Sequence, residues 1–352
     1  MNLFGLEVSA GLFWAVTTGL LVVALVLLFL GGRGLLRRRR GASVEQLAEV
    51  LGDLRFEAVA LAGANRPLAR ASGPGLKALA RAQWTDAVTR FREAADKCRS
   101  DRERAALRNL IGIGLYLGGR LDAAADSFEE SARLAGSGPG QAAAFSNLGM
   151  VQLTRGEMEP ALATHQRVLE LDREAGLRDR VAADLGRLGL VFQARHEPDR
   201  ALELHQQALD LHRELGDRRG EANELGRIGL VYQVRGDADT ARRLYEQGLE
   251  AAQAAGYVQG AGELLGNLGL LLLAKDEPEA ALDRLLRALG LFMRARAEGR
   301  MLNVVNSLHD AREKLGAERF KELCGKAGLA GPEFDRLDRL LDEVRSRRPV
   351  VS

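Results

Sequence analysis

Histidines, thiols and paired carboxylates carry most metal binding and catalysis, and this chain arranges them poorly for either. Its five histidines are His165, His196, His205, His212 and His309. A zinc-type site needs three or four ligands converging on one point. His205 and His212 are too far apart on one helix to share an ion unaided, and no cluster of Cys or acidic ligands accompanies them. His165 and His205 stand where Phe128 and Tyr245 stand in neighbouring segments, so packing is their expected role. Cys98 and Cys324 lie far apart and read as buried or incidental thiols, not as a disulfide framework. Gly136–Ser137–Gly138–Pro139–Gly140 is rich enough in glycine to suggest a phosphate loop. It falls between helical segments, not after a strand, and no Walker A sequence is present, so it is a linker. The carboxylates alternate with arginine in the manner of solvated helix faces; pairs such as Glu203 and Asp210 carry no catalytic signature. No Ser/His/Asp or Cys/His set stands out. The expectation is no catalysis, no metal and no cofactor.

What remains is binding, and the elements decide what kind. Hydrophobic residues make up 46% of the 352, but aromatics only 5%, so Leu, Ala and Val must supply the packing. The scarcity of β-branched residues favours helix. Net charge is +2, and Arg33, Arg37, Arg38, Arg39 and Arg40 supply five of the positive charges. Removing those five from the 50 Lys and Arg leaves 45 against 48 Asp and Glu. A nucleic-acid binder needs a concentrated basic face, which this body lacks.

Residues 11–30 read GLFWAVTTGLLVVALVLLFL, without a charge. At about 1.5 Å per residue the run spans about 30 Å, the thickness of a hydrocarbon core. A cleaved signal peptide would need a basic leader, a shorter apolar run and a small-residue cleavage site. Here the first ten residues hold no Lys or Arg, and the run ends in Gly31–Gly32–Arg33. An uncleaved transmembrane helix over 11–31 is therefore expected. The arginines at 33–40 follow it and nothing basic precedes it. The positive-inside rule places the remainder of the chain in the cytoplasm and residues 1–10 outside.

Self-similarity is the strongest signal. SNLGMVQLTRGEMEPAL (146–162), GRLGLVFQARHEPDRAL (186–202), GRIGLVYQVRGDADTAR (226–242) and GNLGLLLLAKDEPEAAL (266–282) each begin 40 residues after the last. Gly149, Gly189, Gly229 and Gly269 share one phase; Ala161, Ala201, Ala241 and Ala281 share another. A mid-helix glycine costs about 0.5–1 kcal/mol against alanine, so it implies a close helix approach, expected here against the alanine column of the next helix. Gly156 and Gly236 suit a left-handed turn, with His196 and Asp276 in their place elsewhere. Pro198 and Pro278 suit the first turn of the following helix. The second helices stop at Gly176, Gly216 and Gly256. Upstream, Gly112, Gly119, Ala124 and Phe128 repeat the pattern, as do Gly75, Ala82, Ala87 and Phe91. Six helix pairs follow, over about 72–305. Gly73–Pro74–Gly75 allows the first pair only a short leading helix, and Met301–Leu315 is expected to cover the last.

These columns resemble the tetratricopeptide repeat, over about two-thirds of the chain. Leu148–Gly149, Leu188–Gly189 and Leu268–Gly269, the aromatics Phe192 and Tyr232, the turn glycines and the small residue opening each second helix carry the likeness. The 40-residue period is similar to the kinesin-light-chain and LGN-like subclass rather than the usual shorter form; HEAT repeats lack this Gly-to-Ala spacing. The resemblance implies an all-α superhelical solenoid whose first helices line a concave groove. Its inner positions fall on Asn147, Arg187, Arg227 and Asn267, then Leu190 and Leu230 a turn on, then Gln193 and Gln233, with Asn223 and Glu263 preceding. An extended protein or peptide partner with apolar side chains and an acidic group is implied. The family's carboxylate clamp wants a lysine where this chain has Ser146, Gly186, Gly226 and Gly266, which argues against recognition of chaperone C-termini.

The expected organisation is thus 1–10 external, 11–31 spanning, 32–71 basic juxtamembrane segment and linker helix, 72–305 repeats and 306–352 capping helices. Val44, Leu47, Val50, Leu51 and Leu54 form an apolar stripe in the linker. The expected function is a membrane-anchored scaffold. The alternative is a structural subunit whose repeats assemble with copies of themselves through that stripe.

Overall fold

The computed structural model describes residues 2–3, 6–7, 66–98, 100–295 and 297–347. The expected transmembrane helix, the arginine cluster and the 44–54 stripe lie outside them. Asn2–Leu3 (β1) and Leu6–Glu7 (β2) pair antiparallel. Fifteen helices make up the remaining regular structure among the described residues. In order they are α1 (Arg66–Leu79), α2 (Trp84–Ala95), α3 (Asp101–Leu117), α4 (Leu121–Ala135) and α5 (Pro139–Thr154). Then come α6 (Met158–Glu174), α7 (Arg178–Ala194), α8 (Pro198–Glu214), α9 (Arg218–Val234) and α10 (Ala238–Ala254). Last are α11 (Val258–Ala274), α12 (Pro278–Ala295), α13 (Glu298–Leu315), α14 (Ala317–Lys326) and α15 (Pro332–Arg347). None of the described helices is long and apolar enough to cross a membrane.

Turn chemistry sets the pairing. Gly156, Gly236, His196 and Asp276 all hold positive φ, at 78°, 84°, 61° and 60°, which is the left-handed conformation their positions require. Gly176, Gly216 and Gly256 end the second helices in the same way. Pro198 and Pro278 open α8 and α12, where the missing N–H has no partner to lose. Asp237 caps α10 by accepting from the Thr240 amide at 3.0 Å. One expectation fails: α1 runs for 14 residues through Pro74, not as a short stub. Gly75 explains the cost being met, because the Phe91 ring of α2 lies against its Cα. The sixth pair ends at Ala295, and α13 begins at Glu298 and crosses the boundary expected at 305.

The helices fall into two compact units that part at Val231–Tyr232, inside α9. In the first, a continuous core runs from Leu79 through Phe91, Leu110, Ile113 and Phe128 to Val151, and a further cluster joins Leu169, Leu185, Leu188 and Ala208. First helices lie beside first helices, α1 by α3, α3 by α5 and α5 by α7. In the second unit, Leu265, Leu282, Leu285 and Phe292 pack with Val304, Leu308, Phe320 and Leu341. There the terminal helices close over α13. Arg312 of α13 holds Asp338 and Asp342 of α15, each at 2.6 Å.

The helix-packing glycines do approach their neighbours closely, but the partner differs from the expected alanine. A Cβ on Gly112 would sit 2.5 Å from the Phe128 ring, one on Gly149 2.6 Å from His165, and one on Gly189 2.5 Å from His205. Gly269 stands likewise against Leu285. The space that glycine vacates is filled by a large side chain sixteen residues on.

Cys324 is buried in the terminal core and Cys98 half-buried, both free. Burial, with the nearby charge of Asp338, pushes the Cys324 thiol up to about 12. Burial also raises the Cys98 thiol, but a reagent must reach the sulfur, so alkylation of the folded chain at neutral pH is expected to label the half-buried Cys98 alone, and denatured chain to label both. Peptide mapping of the alkylated protein checks this; rapid labelling of Cys324 in folded chain would contradict the burial.

Candidate ligand-binding face

The first helices of the pairs present the face on which the expected binding residues fall. In the first unit that face is built around a row of buried polar groups. Asn147 of α5 is 0% exposed, and its Nδ2 donates to Asn109 Oδ1 of α3 at 2.9 Å. Arg187 of α7 is 5% exposed, with Nη1 3.4 Å from Oδ1 of the fully buried Asp184. Arg227 of α9 is 14% exposed and donates to Glu224 Oε1. The other oxygen of Glu224 lies 2.7 Å from His205 Nδ1 of α8. Burial opposes the charge of Glu224, but the Arg227 guanidinium and the His205 hydrogen bond outweigh it and hold the carboxyl below its ordinary range.

Contact between α7 and α9 explains the small residue at position 186. Glu224 Oε1 and Arg227 Nη1 lie directly over the Gly186 Cα, so any Cβ there would collide with the ion pair. Gln193 Nε2 also reaches the Arg227 carbonyl, at 3.4 Å. Leu190 and Asn223 are partly exposed, and Leu230, one turn beyond Arg227, is 43% exposed. A comparable cluster lies at the end of α8, where His212 Nδ1 is 2.9 Å from Asp217 Oδ2. His212 beside it, with backbone donors from Gly220 and Arg219, holds the Asp217 carboxyl below its ordinary value.

In the second unit Gln233 accepts from the Tyr245 hydroxyl at 2.7 Å. Glu263 pairs with Arg300 at 2.8 Å and accepts from Gln259 Nε2 at 3.2 Å. Asn267 is partly exposed and Leu270 is 45% exposed. The sequence places these residues on first helices but does not single out Asn109, Asp184, Glu224 and Arg300, which pair with them. The acids carried a readable signal, since each lies three residues before its arginine in two successive repeats.

Also in the first unit, α6, α7 and α8 line an open cleft of about 470 Å³ that includes Leu169, Leu188, Phe192 and Leu204. The Arg200 guanidinium stacks 4.1 Å above the Phe192 ring. Among the described residues no group of three or more His, Cys, Asp or Glu is placed to hold a metal ion.

Helix pairs with this turn chemistry and this inner face define a helical-repeat protein. The tetratricopeptide-repeat family model matches residues 140–214, 179–252 and 221–294, so the stretch from α5 into α12 is made of tetratricopeptide repeats. Similar solved structures include a Rap protein complexed with competence and sporulation factor, at 14% identity and TM-score 0.58, covering 97% of this chain and 90% of that one. The apo form of RapI is similar at 12% identity and TM-score 0.55, covering 78% and 97%. A third is a signal-transduction ATPase with a tetratricopeptide-repeat sensor from Pyrococcus horikoshii, at 13% identity and TM-score 0.51, covering 77% and 43%. At these identities the likeness concerns the fold. No curated protein sequence matches the chain.

Proposed function

We propose that the chain is a membrane-anchored scaffold that binds a segment of a partner protein on the inner face of its repeats and catalyses nothing itself. The carrying observation is Leu230. A leucine left 43% exposed on a first helix is an apolar surface awaiting cover. A Rap protein of similar fold has been crystallised in complex with competence and sporulation factor, which supports a ligand-binding reading. Assignment to the kinesin-light-chain and LGN-like subclass rests on the 40-residue period. The acidic group expected of the partner is not carried into this reading, because Arg187 and Arg227 have Asp184 and Glu224 beside them.

Leu190→Glu combined with Leu230→Glu puts two charges where the partner's side chains would dock. Capture of partner by the immobilised double variant is expected to fall by at least about tenfold, a loss of ~1.4 kcal/mol, with helicity unchanged. Undiminished capture by a folded variant would remove the inner face from the reading.

The uncharged run at 11–30 and the arginines at 33–40 support an anchor with the repeats on the cytoplasmic side. Full-length chain is expected to stay with membranes through carbonate extraction, and chain lacking residues 11–30 to be released. Release of full-length chain would refute the anchor.

A further inference from the structure

We infer that the charges of the inner face in residues 147–230 neutralise one another, and that the face accepts an uncharged segment bearing aliphatic side chains. This rests on the binding reading above and specifies its ligand. Asp184 with Arg187 and Glu224 with Arg227 are the same acid–arginine pair, three residues apart, repeated one period later. Both acids are shut from solvent, at 0% and 1% exposed, so neither turns away to release its arginine.

A ligand carboxylate reaching for Arg227 would displace Glu224, whose second oxygen is bound to His205. The displaced carboxylate would then be buried with its partner gone, a severe penalty in a low-dielectric site. Gly186 reinforces the arrangement by letting the Glu224–Arg227 pair lie flat against α7. With two acids matched to two arginines, the row carries no net charge toward a guest.

What it does present is Leu190, Gln193, Asn223 and Leu230. The leucines offer apolar contact. Gln193 and Asn223 carry primary amides, which both donate and accept and so suit a peptide backbone of any sequence. Binding to such a face varies little with ionic strength, in contrast to recognition by bare arginine. The paired acids thus act as specificity residues: they remove a charge preference that the arginines alone would impose.

Selection of short random peptides displayed on phage, against full-length chain in lipid nanodiscs and with empty nanodiscs subtracted, tests this. Wild type is expected to enrich aliphatic peptides without enrichment of Asp or Glu, equally at low and high salt. Leu230→Glu should reduce their binding by at least about tenfold. Asp184→Asn with Glu224→Gln should shift selection toward acidic peptides. If that double variant fails to fold by circular dichroism, the salt series and Leu230→Glu decide the matter. Enrichment of acidic peptides on wild type, lost in Arg227→Gln, would overturn the inference while leaving the binding face intact. Absence of any enriched peptide would count against the binding face itself, and the inference would fall with it.

Discussion

Glu224→Ala is expected to lower stability by about 3 kcal/mol or more, the usual cost of removing one member of a buried ion pair. Two partners are stranded at once. Arg227 loses its carboxylate next to Gly186, and the fully buried His205 loses the acceptor at its Nδ1. Lys275→Ala provides the contrast. Its pair with Asp239 measures 2.7 Å, but the acid is 82% exposed, so water replaces the lost partner and no change in the unfolding midpoint is expected. Urea unfolding of both variants at neutral pH makes the comparison; equal midpoints would show that the Glu224 cluster contributes nothing. Acid gives a second readout. The folded carboxyl titrates below its unfolded value, held down by Arg227 and His205 against burial. Its stabilisation is therefore complete above the ordinary carboxylate value of about 4.3 and is lost as pH falls through the depressed folded value. Wild type should lose stability over that acidic range, and Glu224→Ala should do so less steeply. An identical acid slope in the two proteins would place the acid sensitivity elsewhere.

That cluster also marks where sequence legibility ended. The turn positions were readable because a left-handed residue has few acceptable identities: Gly156 and Gly236 announced the turn, and His196 and Asp276 followed by period alone. The length of α1 is not legible from the local cost of Pro74, which leaves out the Phe91 ring that rests on Gly75. Asn147, Arg187 and Arg227 all come from first helices, as the period implies. Their burial was not readable. It depends on how one first helix lies beside the next, which puts Asn109 under Asn147 and Glu224 over Gly186. Such lateral contacts join residues about one period apart. A pattern that repeats shows that the position matters without showing what it touches.

The glycine column exposes the same limit and yields the second large effect. Phe128→Ala should cost about 3–5 kcal/mol, because a fully buried ring is removed from a packed core. Gly112→Ala alone should also destabilise. Its methyl would enter the Phe128 ring at 2.5 Å, an overpacking cost of about 1–3 kcal/mol, set against ~1 kcal/mol gained from helix propensity. In the Phe128→Ala background the collision is gone and only the propensity gain remains. There Gly112→Ala should stabilise, by up to about 1 kcal/mol. A double-mutant cycle by urea unfolding reads this as a change of sign, with a coupling of about 1–3 kcal/mol. If Gly112→Ala has the same effect in both backgrounds, the ring is not what demands the glycine. The reversal would establish the rule that glycine on one helix and a bulky residue sixteen positions later form a single packing unit. It would then account for His165 and His205 as occupants of a ring-shaped space against Gly149 and Gly189. His205 also has Glu224 within reach, so this packing position acquires a charge to organise.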